Sequence, residues 1–170
     1  MARWLVLVGY MGAGKTSVGR RVAARLGLEF VDSDRVIEER AGMPIPEIFS
    51  RRGELWFRRT EERAIREILA GEPGVLAVGG GAVESAKTRA VLARTADVVW
   101  LRAGTAVAWA RVSGSDRPLA ADEGRFARRA AAREAAYREA ADVEVDADEP
   151  LDEVAARVGA WARRGAEASG

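Results

Sequence analysis

The segment GYMGAGKTS, Gly9 to Ser17, places two glycines with four residues between them ahead of a lysine and a threonine. That order has a direct chemical reading. Glycines let successive backbone N–H groups turn inward onto phosphate oxygens, a following helix adds the positive end of its dipole, and the lysine brings a mobile cation. Gly12, Ala13, Gly14, Lys15, Thr16 and Ser17 are therefore the expected ligands of a nucleotide's phosphates, with ATP as the phosphate donor. The Thr16 hydroxyl suits Mg²⁺, which takes octahedral oxygen ligation and keeps several waters. A nearby carboxylate should complete that shell. FVDSDRV, Phe30 to Val36, supplies two carboxylates one residue apart. In an extended strand Asp32 and Asp34 would share one face, a repulsive arrangement unless a cation or a substrate separates their roles. Asp32, at the end of the next strand, is assigned to the metal.

The rest of the composition narrows the chemistry. The 170 residues contain no histidine and no cysteine, which removes the usual neutral-pH base, thiolate nucleophiles and Cys-ligated zinc. A general base must then be a carboxylate. With 27 Lys and Arg against 26 Asp and Glu, the net charge of +1 provides no broad basic field for nucleic acid or an anionic membrane, so an anion site has to be local. No apolar run is long enough to span a bilayer or to act as a secretory signal, and the expected setting is the cytoplasm. Lysine occurs only at positions 15 and 87, and asparagine and glutamine are missing, a pattern open to a GC-rich genome, thermal adaptation or design.

These residues need a scaffold, and the hydrophobic pattern describes one. RWLVLVG is a short apolar run closed by glycine, as in a buried parallel strand that feeds a helix. Helix and strand signals then alternate: a helix from about Lys15 to Leu26 stopped by Gly27, a strand in LEFVD, a helix in RVIEERAG closed by Gly42, and a helical stretch from Pro46 to Gly71 broken near Gly53. In that stretch Ile48, Phe49, Leu55, Trp56, Ile65, Ile68 and Leu69 recur at roughly helical spacing. GVLAVGGG returns to a strand that ends in three glycines. SAKTRAVLAR is a helix with Ser85 as N-cap, ADVVWLR a fourth strand, and Thr105 the expected cap of AVAWARV. SGSDRPLAADEG reads as a mobile loop, followed by a long helix, the strand DVEVD and a terminal helix. The alternation predicts one α/β domain, residues 1–170, with a parallel sheet of about five strands and helices on both faces.

Several of these segments together resemble shikimate kinase. GYMGAGKTSVGR is similar to that family's phosphate loop, VDSD to its DxD strand end, FRRTEE to its substrate-arginine segment, VLAVGGGAV to its triple glycine, DRPL to its lid and REAAY to its second substrate arginine. The resemblance runs from the first strand to the last helix. It implies a P-loop NTPase-type three-layer fold with a mobile lid at about 113–123 and a substrate-binding helical region at about 33–61. It also implies shikimate as acceptor, bound by Asp34, Arg58, Gly79, Gly80, Gly81 and Arg133, with Glu61 orienting Arg58. Arg117 would reach the transferring phosphate from the lid, and Arg111 would stack on adenine near the strand exit VDADEP, where Asp148 and Glu149 are more acidic than the family pattern leads one to expect. Phe49, Phe57, Pro118 and Leu119 match apolar pocket positions.

The expected reaction is transfer of the ATP γ-phosphoryl group to the 3-hydroxyl of shikimate, driven by alignment and charge stabilisation from Lys15, Mg²⁺ and Arg117. Asp34 either accepts the hydroxyl proton or only aims the oxygen. The expected partners are shikimate and ATP, with no nucleic acid and no membrane, and the expected form is a monomer. Two other readings stand beside this one: a related small-metabolite kinase acting on gluconate, and an ATP-binding module without catalysis.

Overall fold

Trp4–Val8 forms β1, five consecutive buried residues, because a central parallel strand is covered on both faces and has no polar side to show. The computed structural model describes residues 3–113 and 122–168, with side chains described through Gly165. From β1 the chain continues into α1 (Lys15–Leu26), β2 (Phe30–Asp32), α2 (Ser33–Ala41), α3 (Ile45–Arg52), α4 (Glu54–Leu69) and β3 (Val75–Ala77). A single 3-10 turn (Ala82–Glu84) precedes α5 (Ala86–Thr95) and β4 (Ala96–Arg102). Then come α6 (Thr105–Val112), α7 (Glu123–Ala140), β5 (Val143–Asp146) and α8 (Leu151–Ala168). The sheet order is β2-β3-β1-β4-β5 and every pairing is parallel, as the alternating pattern predicts.

The period-two alternation of a strand divides the core into two layers. Leu5 and Leu7 point to one face, where they pack with Val18 and Val22 of α1 and Val154 and Val158 of α8. Val6 and Val8 point to the other, against Ile65 of α4, Leu92 of α5 and Phe126 and Tyr137 of α7. Each fully buried Leu or Val contributes roughly 1.5–3 kcal/mol, so the two layers clamp β1 and fix the position of the loop that follows it. A smaller cluster of Ile37, Ile48, Phe57 and Ala64 holds α2, α3 and α4 together outside the sheet. Phe49 and Phe57, whose rings lie 4.7 Å apart, belong to that cluster.

Helix ends follow the local signals in most places. Gly27 and Gly42 close α1 and α2 in the left-handed conformation, Gly53 separates α3 from α4, and the Ser85 side chain caps α5 by accepting from the Thr88 N–H. Three expectations change. LEFVD contributes only Phe30–Asp32 to the sheet, because Asp32 caps α2 through its side chain and the helix begins at once. Thr105 is the first residue of α6 and not its cap; Gly104 takes that position, with its N–H bound to Asp148 Oδ1 at 2.8 Å. Leu55 and Trp56 are 68% and 38% exposed, so the inward stripe of α4 is Phe57, Glu61, Ala64, Ile65 and Leu69, with a glutamate at a core position. Ser113 ends α6 and Asp122 caps α7. The expected lid between them, with Arg117, Pro118 and Leu119, lies outside the described residues.

Candidate active site

Parallel strands end on the same edge of a sheet, so the segments after β1, β2 and β3 meet there. Leu7, Ala77 and Asp32 lie in one row of the ladder, which sets the phosphate loop, the aspartates and the three glycines side by side.

In the phosphate loop Gly9, Gly12 and Gly14 have φ of 146°, 81° and 89°, and no residue other than glycine has positive φ among those described. Gly9 is constrained twice, since a Cβ there would stand 2.5 Å from the Leu101 carbonyl oxygen. The helix after the loop starts without a side-chain cap and without an acid in its first turn, leaving its positive end available to an anion. Ala13 is buried beneath the loop, whereas Thr16 and Ser17 are exposed on the first turn. The Lys15 ammonium donates to the carbonyls of Gly9 at 2.7 Å and Tyr10 at 3.1 Å.

Thr16 Oγ1 donates to Asp32 Oδ2 at 2.8 Å, while Asp32 Oδ1 accepts from the Asp34 N–H at 3.1 Å. These bonds correct the shared-face picture: the strand ends at Asp32 and Asp34 sits in the first turn of α2, so the two carboxylates leave different elements. A cap geometry turns the chain between them, and the Asp32 carboxylate faces the phosphate loop. Thr16 and Asp32 form a pair of hard oxygen donors beside an anion cradle, a donor set that fits a small divalent cation whose remaining ligands are water and phosphate. No cluster of three or more His, Cys, Asp or Glu suited to a metal occurs among the described residues.

The three glycines make room for the protein's own side chains. At Gly79 a Cβ would lie 2.5 Å from Glu61 Oε1 and 2.6 Å from Asp34 Oδ1; at Gly81 it would lie 2.5 Å from Arg58 Nη2; at Gly80 it would be 3.8 Å from Arg133 Nη1. The Gly79 N–H donates to Ser33 Oγ at 3.2 Å, and the Gly80 carbonyl accepts from the Tyr137 hydroxyl at 2.5 Å. Thus the expected substrate residues Asp34, Arg58, Gly79, Gly80, Gly81 and Arg133 do come together. Glycine at 79 and 81 leaves room for Glu61, Asp34 and Arg58 against this turn, and Arg133 stands at an ordinary contact distance from Gly80.

Arg58 donates to Glu61 Oε2 at 2.6 Å, so Glu61 orients it, as the three-residue helical spacing suggests. Glu61 is 2% exposed and its Oε1 has no hydrogen-bond partner among the described residues. Burial pushes its carboxyl up to about 7; Arg58 and Arg133 pull it down and the Asp34 charge adds to the rise. Arg133, on α7, is 4% exposed and donates Nε to Glu84 Oε2 at 2.9 Å, with Nη2 in an ion pair to the same oxygen at 2.8 Å and the guanidinium 5.5 Å from the Tyr10 ring centre. Tyr10, Glu84 and Tyr137 are parts of this site that the motif reading left out. The signal available for Glu84 was an acid three residues after the last glycine.

Arg111 reaches back to the phosphate loop, with Nη1 on the Gly12 carbonyl and Nη2 on the Ala147 carbonyl, both at 3.0 Å. It braces the loop against the exit of β5. The two acids at that exit have structural partners: Asp148 accepts from Gly104 and Glu149 pairs with Arg157 at 2.7 Å.

The family model described as "Shikimate kinase" matches residues 11–163. The chain belongs to the shikimate kinase family. A shikimate kinase of Bradyrhizobium diazoefficiens is 48% identical over 157 residues, covering 90% of this chain and 76% of that protein. One of Nitrobacter winogradskyi is 52% identical over 142 residues, covering 81% and 66%. Among solved structures, shikimate kinase from Acinetobacter baumannii in complex with shikimate superposes with a TM-score of 0.89 at 35% identity, over 93% of this chain and 91% of that one. The P-loop NTPase-type α/β architecture and the membership in a kinase family expected from the motifs are both borne out.

Proposed function

We propose that this chain transfers the γ-phosphoryl group of ATP to the 3-hydroxyl of shikimate, giving shikimate 3-phosphate and ADP in the pathway to chorismate and the aromatic amino acids. The observation that carries this reading is the convergence of Asp34, Arg58 and Arg133 on the Gly79–Gly81 turn, at the same sheet edge as the phosphate loop. Shikimate has a carboxylate at one end of a small ring and hydroxyls at the other. Two guanidinium groups answer the carboxylate, and Asp34 answers the hydroxyl that lies toward the phosphates.

The division of labour follows from the positions. Gly12, Ala13, Gly14, Lys15, Thr16 and Ser17 hold the ATP phosphates through backbone N–H groups and the end of α1, with Lys15 leaving its loop carbonyls for the β and γ phosphates. Thr16 and Asp32 would hold Mg²⁺, which when bound neutralises charge on the phosphate oxygens. In the transfer the bond from the bridging oxygen to the γ-phosphorus breaks and the bond from the 3-hydroxyl oxygen forms. The hydroxyl proton passes to Asp34, or Asp34 only aligns the oxygen and the proton leaves with the product. Arg58 and Arg133 fix the ring so that the oxygen stays in line, a contribution that alignment alone can make large. Arg117 is assigned to the transferring phosphate from the lid, and Arg111 supports the nucleotide side of the loop. We assign the chain to the cytoplasm, as a monomer; the lack of cysteine is compatible with a reducing compartment, and among the described residues no helix is long and apolar enough to cross a membrane.

Coupled ADP release with ATP, Mg²⁺ and shikimate, gluconate or no acceptor tests the reading. ADP should appear with shikimate and stay near the no-acceptor rate with gluconate; ADP release that does not depend on shikimate would overturn it. Asp34→Asn then separates the two roles of the carboxylate. A loss of turnover of about 10²-fold or more indicates proton acceptance or a required charge, and near-wild-type turnover rules out both.

A further inference from the structure

Arg133 meets the site with half of its fork already engaged. Its Nε and Nη2 both bind one oxygen, Oε2 of Glu84, and its Nη1 points toward Gly80. Glu84 is placed independently of that contact. Its N–H donates to the Gly81 carbonyl at 3.1 Å, and Arg89 clamps the backbone of the 3-10 turn through the carbonyls of Val83 at 2.8 Å and Glu84 at 3.1 Å. Arg133 is likewise held without Glu84, by its burial and by the face of Tyr10. The two partners differ in access: the Arg133 side chain is 5% exposed and that of Glu84 is 49% exposed. The acid is thus open to solvent and the cation is not.

We propose that Glu84 is a specificity determinant of this chain, an internal carboxylate that occupies Arg133 and that the carboxylate of the acceptor must displace to bind. The inference rests on the functional reading above, in which Arg133 takes the acid end of the substrate. Its physical basis is the cost of an unpaired buried charge. With Glu84 present, Arg133 is neutralised, and an arriving carboxylate gains only the difference between two anions while it also meets a negative neighbour. With the Glu84 charge removed, the buried guanidinium loses its direct ion-pair partner, and the substrate's carboxylate is the anion that can take that place. Affinity for the acceptor should then rise, and because Arg133 stays held by its burial and by the Tyr10 ring, alignment of the reacting hydroxyl should not change.

The experiment is steady-state kinetics of Glu84→Gln beside the wild type, varying shikimate at saturating ATP and Mg²⁺. KM for shikimate is expected to fall about three- to ten-fold, the scale of a partly exposed ion pair, with kcat within two-fold. An acceptor analogue with a primary alcohol in place of the carboxylate should show no such gain. Shikimate alone should raise the melting temperature of the variant more than that of the wild type, which reads binding without turnover. An unchanged or raised KM in the variant overturns the proposal, the raised value marking Glu84 as a residue that positions Arg133. If Glu84→Gln does not fold, Glu84→Thr removes the same charge with a smaller side chain and is read by the same KM. Wild type that shows no shikimate-dependent ADP release sinks the functional reading itself, and the inference with it, before any variant is compared.

Discussion

Glu61 should make this protein lose stability as the pH rises through neutrality. It is an acid in the inward stripe of α4, 2% exposed, with one oxygen on Arg58 and the other beside Asp34 across Gly79. Its carboxyl is pushed from an ordinary value of 4.5 to about 7, chiefly by burial. Because the folded value lies above the unfolded one, the native state holds more protons between pH 4.5 and 7, and stability falls across that window and levels off above it. At 1.36 kcal/mol per unit the full effect is about 3 kcal/mol, a large fraction of the 5–15 kcal/mol that holds a domain of this size together.

Glu61→Gln removes the titration while keeping an oxygen for Arg58 and the volume of the side chain. Urea unfolding followed by circular dichroism at pH 5, 6, 7 and 8 measures the difference between variant and wild type, in which the contributions of groups not coupled to Glu61 cancel. That difference should move in favour of the glutamine variant by about 2.5 kcal/mol between pH 5 and 8. Curves that run parallel would refute the reasoning. So would a variant that loses ground with rising pH, since that result would mean the Arg58 ion pair outweighs burial and holds the Glu61 carboxyl low.

Other substitutions probe the same turn and the loop beside it. Gly79→Ala puts a methyl group where Glu61 and Asp34 meet, so kcat should fall about 10²-fold, the scale of a misplacement near 1 Å, while circular dichroism shows an intact fold; normal turnover would show that the carboxylates can yield. Arg58→Lys keeps the charge but loses the planar fork shared with Glu61, and KM for shikimate should rise about ten-fold or more with little change in KM for ATP. Arg111→Ala cuts the tie between Gly12 and Ala147, and the effect should reverse, raising KM for ATP several-fold (about 1 kcal/mol) and sparing KM for shikimate.

The sheet was readable from sequence because its signals are local and redundant: β1 is apolar on both faces, and Gly27, Gly42, Gly53 and Ser85 each mark a helix boundary through a conformation or a bond that few other residues offer. Boundaries decided at a distance were not. Asp148, more than forty residues away, takes the Gly104 N–H and places the start of α6 ahead of Thr105. Likewise the apolar period of α4 does not say that Leu55 and Trp56 face out, because what covers a helix is set by α2 and α3 packing on its other side.

The aspartates of FVDSDRV show how a correct assignment can rest on a local geometry that the fold replaces. Strand alternation would put Asp32 and Asp34 on one face and make their separation a matter of a bound cation. The cap geometry separates them without one: Asp32 turns to Thr16 and to the Asp34 N–H of α2, and the Asp34 side chain leaves on the helix toward Gly79 and Glu61. The same holds for the glycines, which the sequence reads as an open approach for a ligand. The space a side chain would take at Gly79 and Gly81 is filled by Asp34, Glu61 and Arg58, with Arg133 beside Gly80, so charged groups and not only bare backbone line this turn. Three carboxylates, Asp34, Glu61 and Glu84, accompany two guanidinium groups there, an excess of negative charge in a site that must admit an acid. Protonation of Glu61 and displacement of Glu84 are two separate ways to relieve it, one read in a pH titration of stability and the other in KM at constant pH. Measured in a double variant, Glu61→Gln with Glu84→Gln, their effects on shikimate binding should exceed simple additivity only if both carboxylates act on the same bound anion.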